Sequence, residues 1–477
     1  MAETRKRSKK AHDFSAWYTS TLLDARMVDY TAVSGAVAFM PDCYFIWESI
    51  QKATDAMLRQ AGVQNSYFPI FIPERLLAKE QAHVEGFTPE VAWVTHAGDT
   101  KLSERLAVRP TSEAIMYDSF ARWIRSWRDL PLRLNQWNSA VRWEFKHPML
   151  LIRNREFLWN EGHSVFATEA EALAERDMVL EIYKRVLRDY MALPGIVGRK
   201  SEREKFAGAE ASFSIELMMP DGWAIQGPIW HFDGQNFSRA YGIEFLDKDG
   251  EKRYAWQNTY AISTRMLGVM FAVHGDDNGL VIPPRLSRIQ AVIVPIYTES
   301  NRDVVLAAAR SLCASLSSGL RVHVDERDYT PGRKFNEWEL KGVPLRLELG
   351  EKELAARAVT VFRRDVCART QLAIENIGQR LDAVLSEMHG SMLKRASEML
   401  KQSMHAARSM KELIEAIDAR RGMAHAPWCG GSACEESIRA ETGAKITNMP
   451  LDQSDLSGSC VYCGKPARHM ANIARSY

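Results

Sequence analysis

The sequence predicts an α+β domain with an antiparallel sheet, then an α/β domain, then a small cysteine-bearing α/β module. Three observations carry this prediction. Up to about residue 285, strand-like and helix-like segments mix without regular β-α-β spacing, as an antiparallel sheet requires. From Ile289 to Leu349, strand and helix patterns alternate at β-α-β spacing, which describes a second, separate unit. Beyond about residue 421, four cysteines fall in two close pairs. The predicted boundaries are a basic arm at 1–12, the antiparallel-sheet domain at 13–285, the α/β domain at 286–388 and the terminal module at 389–477.

Taken in order, Arg5, Lys6, Arg7, Lys9 and Lys10 make the arm a solvated basic tail. Ile46 to Ala61 has the apolar spacing of an amphipathic helix, and Gly62 stands where its C-cap belongs. The run Ser66 to Pro73 reads as a strand that ends in prolines. Val141-Arg142-Trp143-Glu144 and the segment Phe157 to His163 read as a strand, a loop and a returning strand. Pro283-Pro284 breaks the chain, and Ile289 to Val294 is a continuous apolar run of the kind a buried strand carries. A helix (Asp303 to Ser317), a strand (Leu320 to Val324), a helix (Gly332 to Lys341) and a strand (Pro344 to Leu349) follow. From Leu381 to Arg420 apolar residues return every three or four positions, which predicts one long helix with a buried face.

Length and composition narrow the class. The 477 residues suffice for three domains at about 150 residues each. With 46% hydrophobic and 26% charged residues, disordered and fibrous classes are excluded. Sixty-two basic against 60 acidic residues leave a net charge of +2, so a polyanion would have to be met by local patches. No apolar run reaches the roughly 18 residues of a membrane span, and the basic start lacks the apolar stretch of a secretory leader. A cytoplasmic protein with no membrane partner is expected. Seven cysteines, an odd number at low density, argue against a disulfide framework.

Two constellations carry chemistry. Cys429-x4-Cys434 and Cys460-x2-Cys463 have the spacing of a closed four-thiolate zinc site, with Gly430, Gly431 and Gly464 beside the pairs. No further thiol or carboxylate cluster lies nearby, so the metal is expected to support folding of the tail and to have no part in catalysis. Cys43, Cys313 and Cys367 read as buried small residues. The second constellation is Arg142, Arg153 and Phe157 around the predicted loop. Two guanidinium groups and a ring facing one pocket suit a nucleotide, although the same pattern fits a salt-bridged surface hairpin.

Context separates these readings. R-P-T-S-E at 109–113, N-Q-W at 135–137, V-R-W-E-F-K-H-P from Val141, E-F-L-W-N-E-G-H from Glu156, E-K-F-A-G from Glu204, G-Q-N-F from Gly234, S-T-R at 263–265, H-G-D-D-N-G-L-V-I-P-P from His274 and W-E-L-K-G-V-P from Trp338 all stand in this chain. With the Ser476-Tyr477 end, they resemble prolyl-tRNA synthetases of the archaeal/eukaryotic type, which are class II aminoacyl-tRNA synthetases. The likeness spans nearly all of the chain after about residue 12.

The resemblance implies a class II catalytic domain, an anticodon-binding domain and a zinc-binding tail. It implies ATP-dependent charging of tRNA(Pro) with proline or a close analogue, through an adenylate, by a homodimer. Thr111 and Glu113 would receive the imino group of proline. Arg142 would hold the carboxylate and α-phosphate, with Arg265 as its catalytic partner. Glu144, Arg153, Phe157, Gln226 and Arg265 would complete the ATP site, with magnesium bridging the phosphates. Trp159, Glu161, His163, Phe206 and His231 would wall the pyrrolidine pocket. Glu339, Arg346 and Lys352 would face anticodon bases, and the metal ligands would be Cys429, Cys434, Cys460 and Cys463. Three segments depart from the family pattern: Ser212-Phe213-Ser214, Pro228-Ile229-Trp230 and Thr259-Tyr260-Ala261. The added bulk predicts an altered pocket, as in a paralogue for another imino or amino acid or in a drug-insensitive variant.

Overall fold

The computed structural model of the chain describes residues 8–83, 90–143 and 148–477. The arm residues Arg5, Lys6 and Arg7, and Glu144 of the predicted nucleotide site, lie outside them. Six antiparallel strands form the centre, in the spatial order Leu132–Val141, Glu156–Phe166, Trp256–Ser263, Ala224–Gly234, Ala211–Met218 and Ile196–Arg199. Their alternating side chains explain both faces. Phe213, Ile215, Trp230, Phe232, Tyr260 and Ile262 point into one core shared with residues of the helices Pro41–Gln60, Glu169–Arg185 and Arg265–His274. The opposite face carries the polar and small residues that open onto a cavity.

The predicted strand Ser66 to Pro73 forms only in part. Gln64–Asn65 pairs parallel with Leu132–Val141, and Phe71–Pro73 joins a small separate sheet. Between them the backbone is satisfied by side chains: the Gln136 Oε1 accepts from the Phe68 N–H at 2.8 Å, and Arg109 donates to the Phe68 carbonyl at 2.9 Å. A ladder there is therefore not needed.

The α/β unit is a five-stranded sheet in the order Val322–Val324, Ala291–Ile296, Leu345–Gly350, Ala358–Arg363, Ala368–Ala373. The first three run parallel and the last two antiparallel. Arg364, fully buried, joins this unit to the first domain. Its fork donates to both Asp276 carboxylate oxygens at 2.6 and 2.7 Å, and its Nε donates to the Glu339 carbonyl at 2.9 Å.

Two expectations change at the tail. The long helix runs Ile377–Ser403 and stops there, with a strand (Met404–Ala406) and a short helix (Met410–Ile414) following. The apolar rhythm persists to 417 because Leu413, Ala416 and Ile417 bury into the core of the terminal module. The predicted boundary at 388/389 falls inside that helix, where Met388 and Met392 pack on Ala192 and Val281 of the first domain. The tail module joins the central sheet. Met404–Ala406, Met423–Trp428, His469–Ala474 and Lys445–Pro450 extend the central sheet to eleven strands through the pairs Met449↔Arg199 and Pro450↔Gly198. A Cβ at Gly198 would lie 2.5 Å from the Met449 carbonyl oxygen, so only glycine permits this junction. Among the described residues, no helix is long and apolar enough to cross a membrane.

Candidate active site

A cavity of about 690 Å³ opens on the polar face of the central sheet. Of the predicted site residues it brings together Thr111, Glu113, Arg142, Phe157, Trp159, Glu161, His163, Phe206, Gln226, His231 and Arg265. Strand parity accounts for most of them. Trp159, Glu161 and His163 alternate on one strand, Ile229 and His231 on a second, Thr259, Ala261 and Ser263 on a third. Gly162, between Glu161 and His163, is set by the opposite face: the ring of Tyr260 occupies the place of its Cβ.

Glu161 is the hub of the pocket. Its carboxylate accepts from Gln136 Nε2 at 2.8 Å, Asn138 Nδ2 at 2.6 Å, the Ser112 N–H at 3.1 Å and the Ser112 hydroxyl, with His163 Nε2 at 3.4 Å. Burial by itself raises such a carboxyl, but the hydrogen bonds and charge of His163, Ser112 and Asn138 outweigh it and hold Glu161 at about 2. Beside it the Thr111 hydroxyl donates to Glu113, and both residues are buried. Burial, with Lys200 and Arg142 nearby, lowers His231 to about 3, so it is neutral and suits an apolar wall. Its Nδ1 lies 2.7 Å from the Ser212 hydroxyl, and its ring is 5.0 Å from that of Phe206.

The other half of the cavity is cationic. The Arg142 guanidinium lies 5.4 Å from the ring centres of both Phe157 and Trp159, and its Nε donates to the Pro110 carbonyl. Arg265, first residue of the helix Arg265–His274, donates to the carbonyls of Ile152 and Gln226. Burial, then repulsion from Arg142 and Arg153, lowers Arg265 to about 10, against the opposing pull of Glu216. It is still charged at neutral pH. Arg153 sits in the loop near this cluster and is not among the residues lining the cavity. Mutually repelling guanidinium groups over an open cavity are completed by an anion such as a phosphate chain.

Sequence reasoning missed Ser112, Gln136 and Asn138 as partners of Glu161, and the buried pair Lys200–Glu216 at 2.6 Å. Alternation along Leu132–Val141 was the available signal: it places Gln136 and Asn138 on the face of Glu161. The expected bulk in the pocket is corrected by the same parity. Trp230 is fully buried on the opposite face, stacked on Phe232 at 6.4 Å and beside Phe213 at 5.8 Å, and Tyr260 is buried with it. Of the changed positions, Ile229, Thr259 and Ala261 line the cavity, and Tyr260 borders it from the opposite face.

In the α/β unit, Arg346 is not free to face a base. It is buried between the rings of Phe335 and Phe362 (3.9 and 4.1 Å), and donates to Glu348 at 2.7 and 3.0 Å and to Glu339 at 2.5 Å. Every nitrogen of its fork is engaged, whereas Glu339 keeps part of its side chain at the surface and Lys352 is exposed on the helix Glu351–Ala355.

Cys429, Cys434, Cys460 and Cys463 converge, with all four Sγ atoms within 4.8 Å of one another and the closest pairs at 3.6 and 3.8 Å. Four thiolates at ~2.3 Å from one ion in a tetrahedron stand ~3.8 Å apart, so the cluster fits a zinc ion. Of the remaining cysteines, Cys43 is buried as expected, Cys313 is half-buried, and Cys367 is exposed, because it lies in a turn after the strand Ala358–Arg363.

Family models match three stretches. They are "tRNA synthetase class II core domain (G, H, P, S and T)" at 93–274, "Anticodon binding domain" at 290–383 and "Prolyl-tRNA synthetase, C-terminal" at 410–477. The chain is 43% identical over 470 residues to proline--tRNA ligase 2 of Bacillus thuringiensis subsp. konkukian, covering 98% of each chain. It is 42% identical to proline--tRNA ligase of Alkaliphilus oremlandii over 466 residues, covering 98% of this chain and 96% of the relative. The corresponding protein of Natranaerobius thermophilus is 43% identical over 456 residues, with 95% and 94% covered.

Proposed function

Because this chain belongs to the prolyl-tRNA synthetase family, we propose that its cleft activates proline with ATP and passes the prolyl group to tRNA(Pro). The observation that carries the reading is the Arg142–Arg265 pair beside a small pocket ending in Glu113 and neutral His231. A proline carboxylate oxygen attacks the α-phosphorus, pyrophosphate leaves, and prolyl-adenylate remains. A terminal ribose hydroxyl of the tRNA then attacks the carbonyl carbon and AMP leaves. The chain supplies no nucleophile; it supplies position and positive charge.

Each residue has a matching task. Thr111 and Glu113 receive the imino cation of proline, a buried charge that needs hydrogen-bonding partners. Trp159, Glu161, His163, Phe206 and His231 wall the ring, with Glu161 also holding Ser112 and His163 in place. Arg142 meets the carboxylate and α-phosphate, and Arg153 and Arg265 the outer phosphates. Phe157 stacks on the adenine, Gln226 belongs to the ATP site, and a magnesium ion bound with ATP would neutralise phosphate charge. Cys429, Cys434, Cys460 and Cys463 would hold a zinc ion that cross-links the tail. Exposed Tyr44, Tyr67 and Phe71, on and just after the helix Pro41–Gln60, support a homodimer, and the reaction belongs in the cytoplasm where tRNA is charged.

The test is amino-acid-dependent pyrophosphate exchange over proline, alanine, cysteine and proline analogues. Exchange strongest with proline is expected; silence with proline and exchange with another imino acid would overturn the reading. Trp230 provides a companion check. Trp230→Ala should cost about 3–5 kcal/mol in thermal or denaturant unfolding, while leaving the order of amino-acid preference unchanged below its melting range.

Anticodon recognition is assigned to Glu339 and Lys352, with Arg346 as the residue that positions Glu339. Glu339→Ala should lower tRNA charging by roughly one to two decades and leave pyrophosphate exchange as it was. Arg346→Ala should lower charging and also the melting temperature, since it leaves Glu339 and Glu348 without their shared cation. Charging unaffected in both variants would remove the assignment.

A further inference from the structure

Resting on the reading just given, we propose that the cysteine module positions one wall of the amino-acid pocket, through the contact of Glu435 with Ser201. The wall is the segment that leaves the strand Ile196–Arg199 and runs on through Glu204, Lys205, Phe206 and Ala207, all four lining the cavity. The tail grips this segment at three places. The Ser201 hydroxyl donates to Glu435 Oε1 at 2.7 Å, with both residues buried. Lys200 Nζ spans Glu216 at 2.6 Å and the Thr447 carbonyl at 2.7 Å, again in a buried setting. Lys445 Nζ reaches Glu204 at 2.7 Å.

Glu435 directly follows Cys434 in the first turn of the helix Ser432–Thr442. A change in the thiolate cluster therefore moves the residue that holds Ser201, with no flexible chain between them. At its other end the wall is fixed by the pocket itself. The Phe206 N–H donates to the Ser212 hydroxyl at 3.0 Å, and that hydroxyl also bonds His231. A segment held at both ends keeps one shape; without the Glu435–Ser201 bond it loses its buried link to the helix Ser432–Thr442, and Phe206 is held less firmly against the ring of the substrate. On this proposal the structural role of the metal reaches beyond the tail to the pocket wall. Glu435 and Ser201 are positioning residues: neither is among the residues that line the cavity.

The experiment uses the full-length, zinc-loaded enzyme and its Glu435→Ala and Glu435→Gln variants, with two readouts. The first is KM and kcat for proline in pyrophosphate exchange. The second is amide hydrogen exchange of residues 199–207 without substrate, also measured on wild type after the metal is removed by chelation. Glu435→Ala is expected to raise KM for proline roughly tenfold with kcat near wild type, and to speed amide exchange at 199–207. Glu435→Gln, whose amide oxygen still accepts from Ser201, should restore both. Metal-stripped wild type should show the same faster exchange at 199–207, with Glu156–Phe166 unchanged. If Glu435→Ala does not fold, Ser201→Ala removes the same bond and is read in the same two ways. Wild-type amide exchange and KM in the alanine variant, or a glutamine variant as impaired as the alanine one, would overturn the proposal. Absence of proline-dependent activity in wild type would instead overturn the parent reading, while the substrate-free amide exchange still decides the coupling.

Discussion

Arg142→Ala is expected to lower proline-dependent pyrophosphate exchange by about three orders of magnitude, with tRNA charging falling in step. The size follows from geometry. Arg142 is anchored by the Pro110 carbonyl and flanked by Phe157 and Trp159, so its plane is set before any ligand arrives. In the proposed role it would meet the negative charge that grows at the α-phosphate as the carboxylate attacks. Arg265→Ala should behave similarly, because its partly buried guanidinium, depressed by burial and by Arg142 and Arg153, gains most from an anionic partner. Arg142→Lys should recover little of the loss, since an ammonium offers neither the stacked plane nor the fork. Retention of exchange within about tenfold of wild type in Arg142→Ala would break the transfer of roles at its centre.

The second large effect concerns Glu161. Removing it by Glu161→Ala leaves Ser112, Gln136 and Asn138 with unmet buried donors, and should cost about 3–5 kcal/mol in unfolding free energy. Its pH dependence has a definite sign. Glu161 is held at about 2, below its ordinary 4.5, so its contribution is complete above about 4.5 and fades as the pH falls toward 2. Over that window it amounts to roughly 3 kcal/mol, at about 1.4 kcal/mol per pH unit. Thermal melts from pH 6 to 2 should therefore fall less steeply for Glu161→Gln than for wild type. Parallel curves for the two proteins would show that the charge of Glu161 plays no such part.

The difference between what could and could not be read from the residues has physical causes. Arg142, Arg265, Glu113 and His231 come together in one cavity, and each falls in a segment that carries the family resemblance. The partners of Glu161 were not legible, because Ser112, Gln136 and Asn138 are ordinary polar residues whose role exists only once two strands are in register. Trp230 misled for a related reason. A bulky residue next to pocket residues in the chain points to the opposite face of the sheet, and only its strand parity, Ile229 and His231 inward and Trp230 outward, reveals this. Arg346, expected to face anticodon bases, is instead held inside by two aromatic rings and two carboxylates. The long-helix expectation failed where one apolar rhythm served two cores in succession, the second belonging to the tail.

The junction of the strand Ile196–Arg199 with Lys445–Pro450 also bears on how the protein is made. On the ribosome the first domain can fold long before residues 404–477 emerge, and until then Ile196–Arg199 is an open strand edge beside a finished sheet. Such an edge pairs readily with a neighbouring nascent copy. Lys200 and Glu216 are meanwhile a buried-type ion pair still waiting for the Thr447 carbonyl. A chain cut short before residue 445 is thus expected to be lost to aggregation rather than to survive as a weaker enzyme, and synthesis of the last strands is what closes the catalytic sheet.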